Sequence, residues 1–347
     1  MSALPKFSFS STAEEVADAL ADDIKGKNGA FPGSFASSCS PILFKVLVTG
    51  TSLNGIGFEA SRAIAKYASL VVITSYNEER LQLSKDAIVT AVPAANIRTL
   101  MLDLSSLESV RKAAAEVNAY AEPIHVLINN AAAAAGVYTL SVDNVEVQMA
   151  AGHIGPFLFT QLLVPKMLSA SPETPRVLFL TSTMHSLTPV LPLDDAEEFL
   201  RGHGGPKGSD PASTLLDRYG QVKAANVMTA KELARRGVGK VLAYAVHPGT
   251  IWTNAFAGGF REEMKRLGLI GEDGNASKEY PDWKTIGQGA ATTVVGAFDP
   301  RLSEFSGAYL ADCAVAEDQV APHCADETRA AKLWKMTEDA VEQAFNL

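Results

Sequence analysis

From Phe44 onward, short apolar runs alternate with longer stretches in which apolar residues recur every three or four positions. The runs are residues 45–49 (KVLVT), 70–74 (LVVIT), 97–102 (IRTLML), 124–129 (IHVLIN), 176–182 (RVLFLTS) and 240–247 (KVLAYAVH). Runs this short and this continuously apolar predict strands buried on both faces, as in a parallel sheet. Helical periodicity falls near 56–68, 77–91, 106–119, 143–169, 217–236 and 285–297. The alternation predicts an α/β fold: a doubly wound parallel sheet (Rossmann fold) with right-handed crossovers and helices on both faces.

Upstream, residues 12–25 (TAEEVADALADDIK) put Val16, Ala17, Leu20 and Ile24 on one helical face, with acidic residues at the positive end of the helix dipole. Residues 26–43 are rich in Gly, Ser and Pro and predict a loop. The expected organisation is an N-terminal helix and linker over 1–43, then one domain over 44–347 without internal repeats. A last amphipathic helix, near 328–346, is expected to pack on the body or on a second subunit of a homo-oligomer.

Composition narrows the partners more than the fold. Thirty Lys and Arg stand against 39 Asp and Glu, a formal net charge of -9, which disfavours nucleic acid and anionic membranes. Cys39, Cys313 and Cys324 match no common zinc spacing and read as reduced thiols. No basic flank leads into an apolar core at the N-terminus, and no apolar run suggests a transmembrane span, so a cytoplasmic protein is expected.

The first strand runs into Thr49-Gly50-Thr51-Ser52-Leu53-Asn54-Gly55-Ile56-Gly57, and a helix follows. Glycines there permit a tight turn, close approach of a pyrophosphate and close helix packing, with helix-start amides facing the anion. A plain strand-to-helix turn would carry similar glycines. The second strand ends Ile73-Thr74-Ser75-Tyr76-Asn77, with no carboxylate to repel a 2′-phosphate; Ser75 or Arg80 could donate to one. NADP(H) is therefore expected, with NAD(H) not excluded. Asp103, ending the third strand, suits either an adenine amino group or the cap of the next helix. Asn129-Asn130-Ala131 ends the fourth strand, where side-chain amides can tie neighbouring loops together.

Tyr219 and Lys223 are four apart on a predicted helix and project from one face. An ammonium near a phenol lowers the phenol pKa, and a phenol so tuned exchanges a proton with a carbonyl or alcohol oxygen. Ser182, at the end of the preceding strand, offers a hydroxyl to the same oxygen.

Together with His247-Pro248-Gly249-Thr250 and Thr253, these residues resemble the short-chain dehydrogenase/reductase family in its motif order, over about residues 44 to 255. Residues 102–106 (LDLSS) and 307–310 (GAYL) give the look of its retinol-dehydrogenase-like branch, including fungal relatives. The resemblance implies Ser182 as substrate-oxygen stabiliser, Tyr219 as general acid/base and Lys223 as ribose binder and pKa modulator. It implies cofactor contacts at Gly50, Ser52, Asn54, Gly55, Ile56, Gly57, Ser75, Asp103, Leu104, Asn130, Ala131, Tyr219, Lys223, Pro248, Gly249 and Thr253, with the turn after His247 passing the nicotinamide.

Three features depart from the family pattern. Four residues rather than three separate Gly50 from Gly55, adding a bend. Gly152 stands where the family carries an Asn that supports a proton-relaying water, and Gln148 one turn earlier, or a rearranged water, is the expected substitute. An insert separates Gly26-Lys27 from the first strand.

Two excursions, near 187–216 and 254–284, are expected to border the substrate, the second as a lid presenting Phe256, Phe260, Met264 and Leu267. An apolar lid suits a hydrophobic aldehyde, ketone or alcohol. Two other readings compete: a nucleotide-binding sensor that has lost its chemistry, favoured by Gly152, and a sugar-nucleotide epimerase, which would carry a larger C-terminal domain than the ninety or so residues after Thr253.

Overall fold

Each apolar run forms a strand, and the periodic stretches between them cross back over the sheet as helices. The computed structural model describes residues 4–25, 44–133, 138–169, 173–201, 211–253 and 261–346, of which 211–214 by backbone alone. The strands are β1 (Lys45–Val48), β2 (Leu70–Ser75), β3 (Ile97–Met101), β4 (Val126–Asn129), β5 (Arg176–Leu180), β6 (Leu242–Val246), β7 (Thr250–Ile251), β8 (Trp283–Lys284), β9 (Tyr309–Ala311) and β10 (Ala314–Val315). The helices are α1 (Ala13–Ala19), α2 (Ala21–Lys25), α3 (Ile56–Ile64), α4 (Glu78–Ala91), α5 (Leu107–Asn118), α6 (Val147–Met149), α7 (Gly155–Leu168), α8 (Ala196–Arg201), α9 (Pro211–Arg236), α10 (Arg261–Arg266), α11 (Ile286–Phe298), α12 (Pro322–Ala325) and α13 (Glu327–Ala340).

The main sheet runs β10-β9-β6-β5-β4-β1-β2-β3, parallel throughout except for the antiparallel edge strand β10. Chain order reverses between β1 and β4, which opens a crevice at the carboxyl ends of those strands. One face is covered by α5, α7, α9 and α13, the other by α1, α3 and α11. β9 and β10 are joined by a two-residue turn in which Asp312 and Cys313 both have positive φ, 50° and 64°, as a type I′ hairpin turn requires.

Several boundaries differ from those expected. The N-terminal helix is two short helices, and Val16, Ala17, Leu20 and Ile24 are all fully buried. α1 lies against α3 and α11, with Glu14 bridging Arg62 and Lys66 at 2.5 Å each. The stretch expected as one helix over 143–169 is broken by a π-helical turn at Ala150–Ile154, between α6 and α7. That stretch, Val147–Leu168, is long and apolar enough to cross a membrane, yet 83% of its most apolar window is buried inside the protein. A sheet of this kind needs such a core helix, and burial rather than lipid explains its hydropathy. The C-terminal helix packs on α9 of its own chain, with Leu333 and Trp334 buried. Cys313 and Cys324 are free and buried; Cys39 lies outside the described residues.

Candidate functional site

The loop after β1 and the end of β4 meet at the crevice. Asn130 Nδ2 donates to the carbonyls of Thr49 (2.9 Å) and Gly50 (2.8 Å), and Thr49 Oγ1 accepts from the amides of Asn130 (3.0 Å) and Ala131 (3.1 Å). A Cβ on Gly50 would stand 2.7 Å from Ala131 Cα, and one on Gly57 would overlap the Asn130 amide. These two glycines are thus demanded by the contact with the 130–131 segment, beside the tight turn, pyrophosphate approach and helix packing that the loop pattern suggested. The extra loop residue is absorbed at Asn54, which takes a left-handed φ of 59°. Gly55 caps α3 without a side-chain acceptor and donates its own amide to the Ser52 carbonyl at 3.0 Å. The first-turn amides from Ile56 onward therefore have no capping side chain, the condition a phosphate would use.

At the far end of the crevice, Ser75 Oγ accepts from the Asn77 amide at 3.1 Å. Asn77 caps α4 and accepts from the Arg80 amide at 2.9 Å, while Arg80 Nη1 lies 3.4 Å from the hydroxyl of exposed Tyr76. Asp103 Oδ1 accepts from the amide (2.9 Å) and hydroxyl (2.6 Å) of Ser105. The cap of α5 is Ser106, so Asp103 shapes the preceding turn instead of capping the helix. Leu104 is buried, its carbonyl pressed against Gly155.

Ser182, Tyr219 and Lys223 come together at the carboxyl end of β5. Ser182 Oγ accepts from the Met184 amide at 3.3 Å, which leaves its proton free to turn to the Tyr219 phenol, with which it is hydrogen-bonded. The turn at Thr183–Ser186 reaches α9 because Gly220 has no side chain; a Cβ there would stand 2.7 Å from the Met184 carbonyl. Lys223 Nζ lies 5.3 Å from the Tyr219 ring centre and donates to the Leu180 carbonyl at 3.1 Å. Burial pushes the Lys223 ammonium down to about 8. Desolvation also pushes the Tyr219 phenol above its ordinary value, and the Ser182 hydrogen bond pulls it partly back. This corrects the expectation that the lysine lowers the phenol: in the protein alone, loss of water around both groups outweighs their proximity.

The relay position is tightly enclosed. Gly152 lies in the π-helical turn, buried, with the position of its missing Cβ 2.5 Å from Val222 Cγ1. Gln148 does not reach the lysine; its Nε2 points to the Leu215 carbonyl at 3.4 Å. Asn226, one turn beyond Lys223, donates to the same Leu180 oxygen at 3.0 Å.

Two further side chains escaped the sequence reading. His185 Nε2 accepts from the Ala321 amide at 3.2 Å, so its Nδ1, 2.7 Å from the Ser182 carbonyl, carries the proton and donates there. The imidazole thereby ties the backbone of Ser182 to the C-terminal segment. Lys284 stands behind the His247-Pro248-Gly249 turn. His247 is half-buried, and desolvation pushes it down to about 4. Asn226 had a signal, its helical spacing from Lys223; His185 and Lys284 had none, because their partners are remote in sequence.

On the substrate side, Leu215 and Leu216 are buried with Met184, Tyr219 and Met264 packed against them. Met264, on α10 in the second excursion, thus packs on the same leucine pair as the Tyr219 ring, whereas Leu267 is about half exposed. Phe256 and Phe260 lie outside the described residues, as do 202–210 of the first excursion. Thr253 ends a described stretch and is half-buried. A groove of about 880 Å³ opens elsewhere, lined by Phe44, Arg176 and Leu242 at the amino ends of β1, β5 and β6, away from these groups.

Comparison with known proteins bears on this arrangement. The short chain dehydrogenase family model matches residues 45–189. The chain is 35% identical over 308 residues to short-chain dehydrogenase TIC 32 A, chloroplastic, of Brassica napus, covering 86% of this chain and 89% of that protein. It is 29% identical to retinol dehydrogenase 12 of Bos taurus, covering 88% and 89%. To short-chain dehydrogenase/reductase prx1 of Penicillium roqueforti it is 31% identical, covering 84% and 83%. Among solved structures, a 3-oxoacyl (acyl-carrier-protein) reductase from Agrobacterium tumefaciens C58 with NADP bound superposes with a TM-score of 0.56 at 18% identity, covering 77% of this chain and 92% of that one.

Proposed function

The chain belongs to the short-chain dehydrogenase/reductase family, and we propose that within it this protein is an NADP(H)-dependent oxidoreductase interconverting a hydrophobic aldehyde or ketone and its alcohol. The observation that carries the reading is the convergence of the Ser182 hydroxyl, the Tyr219 phenol and the Lys223 ammonium beside a glycine loop. When bound, the nicotinamide supplies or accepts the hydride. The Tyr219 hydroxyl gives its proton to the carbonyl oxygen in reduction and takes one back in oxidation. The Ser182 hydroxyl donates to that same oxygen and keeps it against the phenol. Lys223 turns its ammonium from the Leu180 carbonyl to the ribose hydroxyls.

The groups along the crevice fit a dinucleotide. The amides at the start of α3 receive the pyrophosphate, where Gly55 leaves them uncapped. Just after β2, where residues 75–77 carry no carboxylate, Arg80 and Tyr76 form a polar edge suited to a 2′-phosphate. Met184, Leu215, Leu216 and Met264 give the substrate an apolar wall.

A spectrophotometric screen of NADPH and NADH against aliphatic and aromatic aldehydes and ketones tests this. The expected result is NADPH consumption that is abolished in Tyr219→Phe, with cofactor binding retained. Unchanged turnover in Tyr219→Phe, or cofactor binding with no consumption across the panel, would overturn it and favour a sensor.

A further inference from the structure

Lys284 is an ammonium in a place where the fold asks for none. Its side chain is 1% exposed, and a leucine or methionine would fill the volume without the expense of desolvating a charge. Its stem stands directly against Gly249: a Cβ on that residue, whose φ is 91°, would lie 2.7 Å from Lys284 Cδ and 3.0 Å from Cε. Its backbone pairs with Ile251, immediately after the turn. Its Nζ makes an ion pair of 2.5 Å with Asp312 Oδ1.

Asp312 belongs to the β9–β10 turn, two residues beyond Leu310. The Leu310 carbonyl accepts from the His247 amide at 2.8 Å, immediately before the same Pro248-Gly249 turn. The lysine therefore closes a ring. One end of the turn is tied through β7 and β8, the other through β6 and β9, and the ion pair joins the two ties. The Phe9 ring, 4.5 Å from Nζ, covers the ammonium from the N-terminal segment. That segment is held in turn by Gln288 Nε2, which donates to the Ser10 carbonyl at 3.4 Å.

We infer that Lys284, clamped by Asp312, is a positioning residue that fixes the 247–250 turn in the shape that receives the nicotinamide end of the dinucleotide. The inference rests on the oxidoreductase reading above. It does not require Lys284 to touch cofactor, only to hold the backbone that does.

Asp312→Asn is a clean probe. Its carboxylate is about half exposed, and asparagine is favoured at this position of a type I′ turn, so the fold loses only the charge on the clamp. Lys284→Met removes the same pairing from the other side. The measurements are dissociation constants for NADPH and for adenosine 2′,5′-bisphosphate, which carries the adenine half alone, together with the melting temperature. Both variants are expected to weaken NADPH on the order of tenfold while the bisphosphate binds as before, which also certifies that the variants are folded. Unchanged NADPH binding with only a lowered melting temperature would overturn the inference, as would equal weakening of both ligands. Failure of the unaltered protein to bind NADPH would instead overturn the parent reading, and this inference with it.

Discussion

Lys223 Nζ donates to the carbonyl of Leu180 at 3.1 Å, and the side-chain amide of Asn226 donates to the same oxygen at 3.0 Å. A carbonyl with two donors can release one without being orphaned in the core. Asn226 thus lets the lysine leave for a ribose hydroxyl. In Asn226→Leu the carbonyl would depend on the lysine alone, and NADPH affinity is expected to fall by about 1 kcal/mol, roughly fivefold. Titration of cofactor fluorescence checks this; unchanged affinity would argue that Lys223 stays on Leu180 when cofactor binds.

The pH dependence follows from burial of Lys223. Its folded pKa, about 8, lies below the ordinary 10.5, so the unfolded chain binds that proton more readily between the two values. The destabilising contribution is in full force below about pH 8 and is relieved as pH rises toward 10.5. Melting curves of the unliganded protein should show this rise, and Lys223→Met should lack it. In kinetics, kcat/KM for NADPH reports the free enzyme and is expected to fall as pH rises through about 8, where the ammonium is lost. Tyr219, pushed upward by desolvation, remains a proton donor across that range.

Restoring the family's asparagine should not help. The Cβ of Gly152→Asn would start 2.5 Å from Val222 Cγ1, in a π-helical turn with no slack. The substitution is expected to lower stability by about 1–3 kcal/mol with no gain in turnover. Urea unfolding should show part of the loss recovered in a Val222→Ala background. A clear increase in turnover would mean that the glycine compromises a proton relay.

Cofactor choice should rest on Arg80, whose guanidinium reaches Tyr76 at the end of β2. Arg80→Gln is expected to raise KM for NADPH about tenfold, the scale of one charge-assisted hydrogen bond, and to leave KM for NADH unchanged. Parallel shifts for both cofactors would remove the 2′-phosphate from this edge.

The N-terminal helices are part of the core. Leu20 is fully buried in the cluster that includes Ile64 and Val294. Leu20→Ala is expected to cost about 2–5 kcal/mol, measured by chemical denaturation, with KM values little altered in the fraction that remains folded.

Much of this architecture was legible because it is local. Six apolar runs and the helices between them announced a parallel sheet, since a strand buried on both faces must be apolar throughout. β9 and β10 were missed: three and two residues are too short to show a period, and an exposed edge need not be apolar. The glycine loop was visible too, but its cause was only half seen. The contact that forbids side chains at Gly50 and Gly57 comes from Asn130 and Ala131, about eighty residues away.

By itself the sequence determined the order of strands and helices along the chain, and the pairing of Tyr219 with Lys223 four residues on. A helical period brings such neighbours together whatever surrounds them. Only the tertiary structure decided which strands lie side by side, that Ser182 meets the phenol, that Gly152 is walled in by Val222, and that Lys284 finds Asp312. It also decided the electrostatics, raising the phenol and lowering the ammonium. Desolvation depends on which surfaces close over a group, and no local pattern records that.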